Sequence, residues 1–144
     1  MAATIVAYND GKMNILKGVI DLDGDTIKVA LSTSAYSPDI DAHTDFGDII
    51  NELAASGNYT ARGQALDNVA VTADDTNERG KFDADDETFT ALTPSAAFRY
   101  GIIYVDTGTD ATSYLIAYID FGTDQDPNGS DFTIQWHADG IMYI

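Results

Sequence analysis

The chain has 144 residues, 44% of them hydrophobic, no cysteine and a formal charge of −17. That length and apolar content suit one domain with a core of its own, and the missing cysteine excludes disulfides, zinc-thiolate sites and thiol nucleophiles. The seven basic residues, Lys12, Lys17, Lys28, Arg62, Arg79, Lys81 and Arg99, are scattered, which argues against nucleic acid or an anionic membrane as partner, because both call for cations gathered on one face.

Of the 24 acids 21 are Asp, a residue that favours turns and helix starts over helix interiors, so the composition already leans toward a loop-rich β fold. The stretch from Met1 to Asp10 has no basic segment ahead of its short apolar piece and does not read as a secretory leader. The apolar runs Tyr100 to Val105 and Tyr114 to Ile119 are about a third of the length of a membrane-spanning helix.

In chain order, Asn9 or Asp10 is placed to cap a helix over about 9–20, with Met13, Leu16, Val19 and Ile20 at helical spacing. Asp21 to Asp25 reads as a turn, and Thr26 to Ser32 alternates as a strand, with Ile27, Val29 and Leu31 on one side. Ser34 to Gly57 is a polar excursion crossing between sheets, with Ile49 to Leu53 expected as one helical turn. Ala65 to Thr72 reads as a strand with a bulge at Asp67 and Asn68. Further strands are expected at Lys81 to Thr90, Ala97 to Val105, Tyr114 to Phe121, Asp131 to Trp136 and Ile141 to Ile144. Asp106 to Asp110 is a hairpin turn, and Asp126 to Ser130 another. Seven or eight strands at this spacing predict a mainly β protein, an antiparallel β-sandwich or jelly-roll-like barrel with one N-terminal α-helix, spanning residues 1–144 as a single domain.

Asp21, Asp23 and Asp25 alternate around Gly24, but the glycine comes too early for an EF-hand and position 32 is Ser instead of Glu. A plain turn explains them. Asp83, Asp85, Asp86 and Glu87, or Asp124, Asp126 and Asp131, would supply oxygens to a cation, yet in a chain this acidic such groups read first as solvated surface. His43, between Asp41 and Asp45, and His137, after Trp136, have no partner signature of a catalytic base. No G-x-S-x-G, H-E-x-x-H or Gly-rich phosphate loop occurs. The expectation is therefore no enzyme, no cofactor, no metal and no catalytic residue. Phe98, Tyr100, Tyr104, Tyr114, Tyr118, Phe121, Phe132, Trp136 and Tyr143 concentrate in the last third and read as core plus subunit interface, with the Tyr104 and Tyr118 hydroxyls expected at a boundary between protomers; a sugar-binding platform is the competing use of such rings.

Tyr8-Asn9, Gly24 to Leu31, Gly57-Asn-Tyr-Thr60 followed by Gly63 and Leu66, Phe98-Arg-Tyr100 with Tyr104, Leu115 to Gly122, Phe132 to Trp136 and Gly140-Ile141 occur in an order and spacing that resembles a family of small structural proteins of tailed-bacteriophage virions, of the head-decoration, cement or tail-associated kind. The likeness runs over nearly the whole chain. It departs at Arg62, where the family pattern has a glycine before Gly63, and at Ser34 to Asp48, which is longer and more acidic. The resemblance implies a capsid decoration protein on the outer surface of the virion, binding the major capsid protein as a homotrimer at threefold positions and assembled in the bacterial cytoplasm. A tail or fibre component and a carbohydrate-binding β module are the alternatives.

Overall fold

The computed structural model describes residues 4–144; Met1 to Ala3, the start of the stretch read for a leader, lie outside the described residues. The strands are β1 (Thr4–Ala7), β2 (Ile27–Ser32), β3 (Gln64–Ala65), β4 (Ala70–Asp74), β5 (Arg79–Asp83), β6 (Glu87–Phe89), β7 (Phe98–Val105), β8 (Leu115–Gln125), β9 (Phe132–Ile134) and β10 (Met142–Tyr143), with one α-helix, α1 (Asn9–Leu16). They make a five-stranded sheet in the order β1-β8-β7-β2-β3, a three-stranded sheet β10-β5-β4 and a pair β6-β9, antiparallel throughout. The mainly β sandwich with one helix near its start is the architecture expected.

The strand count exceeds the expected seven or eight because two predicted strands each divide between sheets and β1 is an additional strand. Asp67 and Asn68 are the place where the chain leaves β3 in the large sheet for β4 in the small one, rather than a bulge. Lys81 to Thr90 likewise breaks into β5 and β6, at a segment tied down by the Asp85 N–H on the Asp67 carbonyl and the Trp136 N–H on Asp86 Oδ1.

Both faces of the central strands are covered, which is why β2, β7 and β8 read as nearly continuous apolar runs. One face presents Ile27, Val29, Leu31, Ile103, Ile116 and Ile119 to Phe82, Phe89, Phe132, Ile134, Trp136 and Ile141 of the smaller sheets and their flanks. The other presents Ala30, Ile102, Tyr104 and Leu115 to Tyr8, Tyr36, Phe46 and Ile49. The acidic excursion after β2 is therefore a third, irregular layer, anchored by the few apolar residues it carries. Its helical turn lies at Phe46–Asp48, capped by Asp45, and not at Ile49 to Leu53, where Leu53 instead donates to the Leu31 carbonyl.

Irregular pairing between β7 and β8 reassigns two groups of aromatics that simple alternation puts together. Register shifts fall between Phe98 and Tyr100 and between Ile103 and Tyr104. Phe98 thus packs on the opposite side from Tyr100 and Ile102, and Ile116 on the opposite side from Tyr118.

Candidate interaction surface

The N- and C-terminal strands meet at one end of the molecule. β1 is an edge strand of the large sheet and β10 an edge strand of the small one. Between them runs a groove of about 430 Å³ whose lining is mainly apolar, Ile5, Ala7, Ile141, Met142 and Tyr143, with His137, Asp139 and Gly140 at one part of it. Two neighbouring hollows continue it past Leu16 and Ile144 on one side and Val71 and Phe82 on the other. Thr4 to Asn9 and Gly140 to Ile144, which flank the groove, carry no charged side chain in a chain that is 22% charged.

Helix α1 widens this apolar surface in a way its sequence pattern does not announce. Its buried residues are Gly11 and Asn14, not the apolar ones. A Cβ on Gly11 would run into the Leu115 carbonyl, so the helix lies close on β8 through its smallest side chain. Met13, Leu16 and Val19 are consequently left outside, Leu16 at 75% exposure. The helix also ends at Leu16, short of the expected 20, with the Lys17 N–H bonded to Met13 and that of Gly18 to Ile15, and its cap is Tyr8 in place of Asn9 or Asp10.

Charge around the groove differs from the rest of the surface. Lys28, Arg62, Arg79, Lys81 and Arg99 each pair with at least one Asp. Lys12, which lines the hollow beside Leu16, and Lys17, one residue past Leu16, have no ion-pair partner among the described residues. Both are exposed, Lys12 on α1 and Lys17 just past its end.

The opposite edge of the same sheet is built differently. β3 has only two residues, and Arg62 just before it closes a polar clasp. Its guanidinium donates to Asp106 at 2.8 Å, to Ser113 Oγ at 3.0 Å and to Asp110, and lies 4.6 Å over the Phe46 ring. Lys28 meets the other Asp106 oxygen at 2.7 Å. The Arg62 N–H donates to Glu52, which also accepts from Tyr59 at 2.9 Å, and Tyr104 donates to the Arg62 carbonyl at 2.6 Å. Burial alone would raise the Asp106 carboxyl, but hydrogen bonds from Lys28, the Gly108 N–H and Arg62 outweigh it and hold it at about 2. Glu52 goes the other way: burial raises it, only partly offset by its donors. Glu87, also raised by burial, accepts from Gln64 and so ties β3 to β6.

Arg62 has φ of +72°, the left-handed backbone in which glycine sits without strain. Arg62 thus occupies a turn that glycine would take without strain, and its side chain fills the clasp. Tyr104, expected at a boundary between protomers, is 0% exposed and spends its hydroxyl inside this clasp; Tyr118 is half-buried against Tyr8 and Tyr100.

Compared with known proteins, the chain matches no protein-family model, no curated protein and no solved structure.

The remaining sequence candidates fall in separate places. His43 stacks on Tyr36 and its Nδ1 accepts from the Tyr36 hydroxyl at 2.9 Å, which in turn meets Tyr8 at 2.7 Å. Burial pushes the Tyr36 phenol up to about 12 and that of Tyr8 further, so both phenols stay protonated and the hydrogen bonds pin the excursion to the sheet. His137 is exposed, close to Asp139. Asp21 and Asp25 cap each other's turn through the Gly24 and Asp21 N–H groups. Asp85, Asp86 and Asp131 accept from Asn68, Trp136 and Ala91, and no three His, Cys, Asp or Glu side chains converge as metal ligands among the described residues. Of the nine C-terminal aromatics only Tyr143 is exposed.

Two features escaped the sequence reading. One is the clasp, which joins residues far apart in the chain. The other is β1, whose uncharged Thr-Ile-Val triplet of β-branched residues was a legible strand signal.

Proposed function

We propose that this protein is a structural component of a bacteriophage virion, most specifically a capsid decoration protein that binds the major capsid lattice in many copies and reinforces it. The observation that carries the reading is the apolar end formed by β1, α1 and β10 on a chain of charge −17. A lattice component needs one surface that gains by losing water and a remainder that keeps exposed copies soluble and apart. The resemblance of its motif order and spacing to small virion proteins is what supports a virion as that assembly. A homotrimer at threefold positions suits this role, since each copy would then join neighbouring subunits and separating them would break the clamp as well.

Quantitative mass spectrometry of purified particles tests the proposal. It predicts copies on the order of hundreds per particle, as threefold sites of an icosahedral shell require. A few dozen or fewer would move the protein to the tail, and absence from particles would end the virion reading.

A further inference from the structure

We infer that the free edge of β1 is a docking site for an extended segment of a different protein chain, which adds to the sheet as a sixth strand and brings carboxylates to Lys12 and Lys17. The inference rests on the assembly reading only for the identity of that chain.

The backbone supplies the first ground. Tyr8 donates to Ile116, and β1 pairs antiparallel with β8 with Val6 opposite Tyr118. Antiparallel strands alternate the sides to which their backbone groups point. Thr4, Val6 and Tyr8 therefore bond to β8, while the N–H and C=O groups of Ile5 and Ala7 point outward and have no partner among the described residues. Across the groove Tyr143 does the same, because Ile144 and Gly80 exchange the flanking bonds of β10. Exposed edges normally carry a lysine, a proline or a bulge that deters pairing; Thr4 to Ala7 carries none of these, and its pairing with β8 is regular.

The second ground chooses the occupant. Apart from His137 and Asp139, the latter already paired with Arg79, the side chains lining the groove are apolar, so a strand alternating apolar residues is received. Lys12 and Lys17 are the cations without ion pairs among the described residues, in a chain with 24 acids. A second copy adding its own β1 would bring only the uncharged Thr4–Ala7 to these lysines. A foreign segment flanked by Asp or Glu would neutralise them instead.

The test uses the full-length protein and a library of random dodecapeptides displayed for selection, followed by titration of the synthetic winner. Enriched peptides should alternate apolar residues, carry carboxylates near one end and slow amide exchange at Ile5 and Ala7 at least tenfold. Ala7→Pro removes an outward N–H without touching a bond to β8 and should weaken binding at least tenfold; Lys12→Glu with Lys17→Glu, which leaves β1 intact, should do so as well, both at nearly unchanged Tm. Failure of any peptide to enrich, binding indifferent to both variants, or protection of β1 that rises with protein concentration in the absence of peptide would each overturn the inference, the last by making a second copy the occupant. Particles containing the protein alongside such a failure would leave the virion reading standing, whereas a peptide success with particles that lack the protein would remove only the virion reading.

Discussion

The two edges of the five-stranded sheet finish in opposite ways. At β3 the edge is two residues long, and Arg62, Lys28, Glu52, Asp106 and Gln64 use up its polar groups in a partly buried network. At β1 the edge is twice as long, uncharged and bordered by exposed Leu16, Tyr143 and Ile144. A short, charge-laced edge resists further pairing and a regular apolar one invites it. If the proposed docking at β1 holds, stability is concentrated at the closed edge and association at the open one, and substitutions should separate the two.

The largest effect is expected from Gly63→Ala. Gly63 has φ of +75°, and a Cβ there would overlap the Val29 carbonyl, to which its backbone is pressed. A loss of about 4 kcal/mol, from forced backbone movement added to left-handed strain, should appear in urea denaturation. Arg62→Ala comes next, at about 3 kcal/mol, because it strips partners from the partly buried Asp106. Arg62→Gly should be milder by about 1 kcal/mol, as it returns a strain-free residue to the left-handed turn; equal losses would show that the backbone conformation of Arg62 has no bearing on stability.

The closed edge also sets the acid response. Asp106 is held below its unfolded value, so its contribution, about 2 kcal/mol, is complete above roughly pH 4 and disappears as pH falls toward 2. Glu52 and Glu87 are held above theirs, so the folded state takes up protons more readily and gains stability as pH falls toward the ordinary glutamate range. Thermal melts at constant ionic strength should rise from pH 7 toward about 5 and drop below about 4, with a smaller drop in Arg62→Ala. A steady decline from pH 7 downward would contradict both assignments.

The smallest effects on stability belong to the open edge. Leu16→Asp and Ile144→Asp replace exposed side chains and should move stability by less than about 0.5 kcal/mol, while abolishing incorporation into particles. Retained incorporation would show that this end is not the docking face.

How far these features could be read from the chain depended on whether the signal was local. The alternation of Ile27, Val29 and Leu31 and the long apolar runs around Ile102 and Ile116 placed the central strands correctly, because burial acts on each residue where it stands. Alternation failed at Phe98 and Ile116, where register shifts set by pairing with a distant strand decide the face. The apolar residues of α1 suggested a buried stripe, but the close fit of Gly11 on β8 turned the helix over. The clasp joins residues from 28 to 113, a meeting that no spacing in the sequence announces.

Amide hydrogen exchange on the free protein and on assembled particles compares the two edges directly. Gln64 and Ala65 should exchange alike in both states, whereas Ile5 and Ala7 should be fast in the free protein and slowed at least tenfold in the particle. Rapid exchange of Ile5 and Ala7 in the particle would contradict the assignment of β1 as the edge through which this protein joins its assembly.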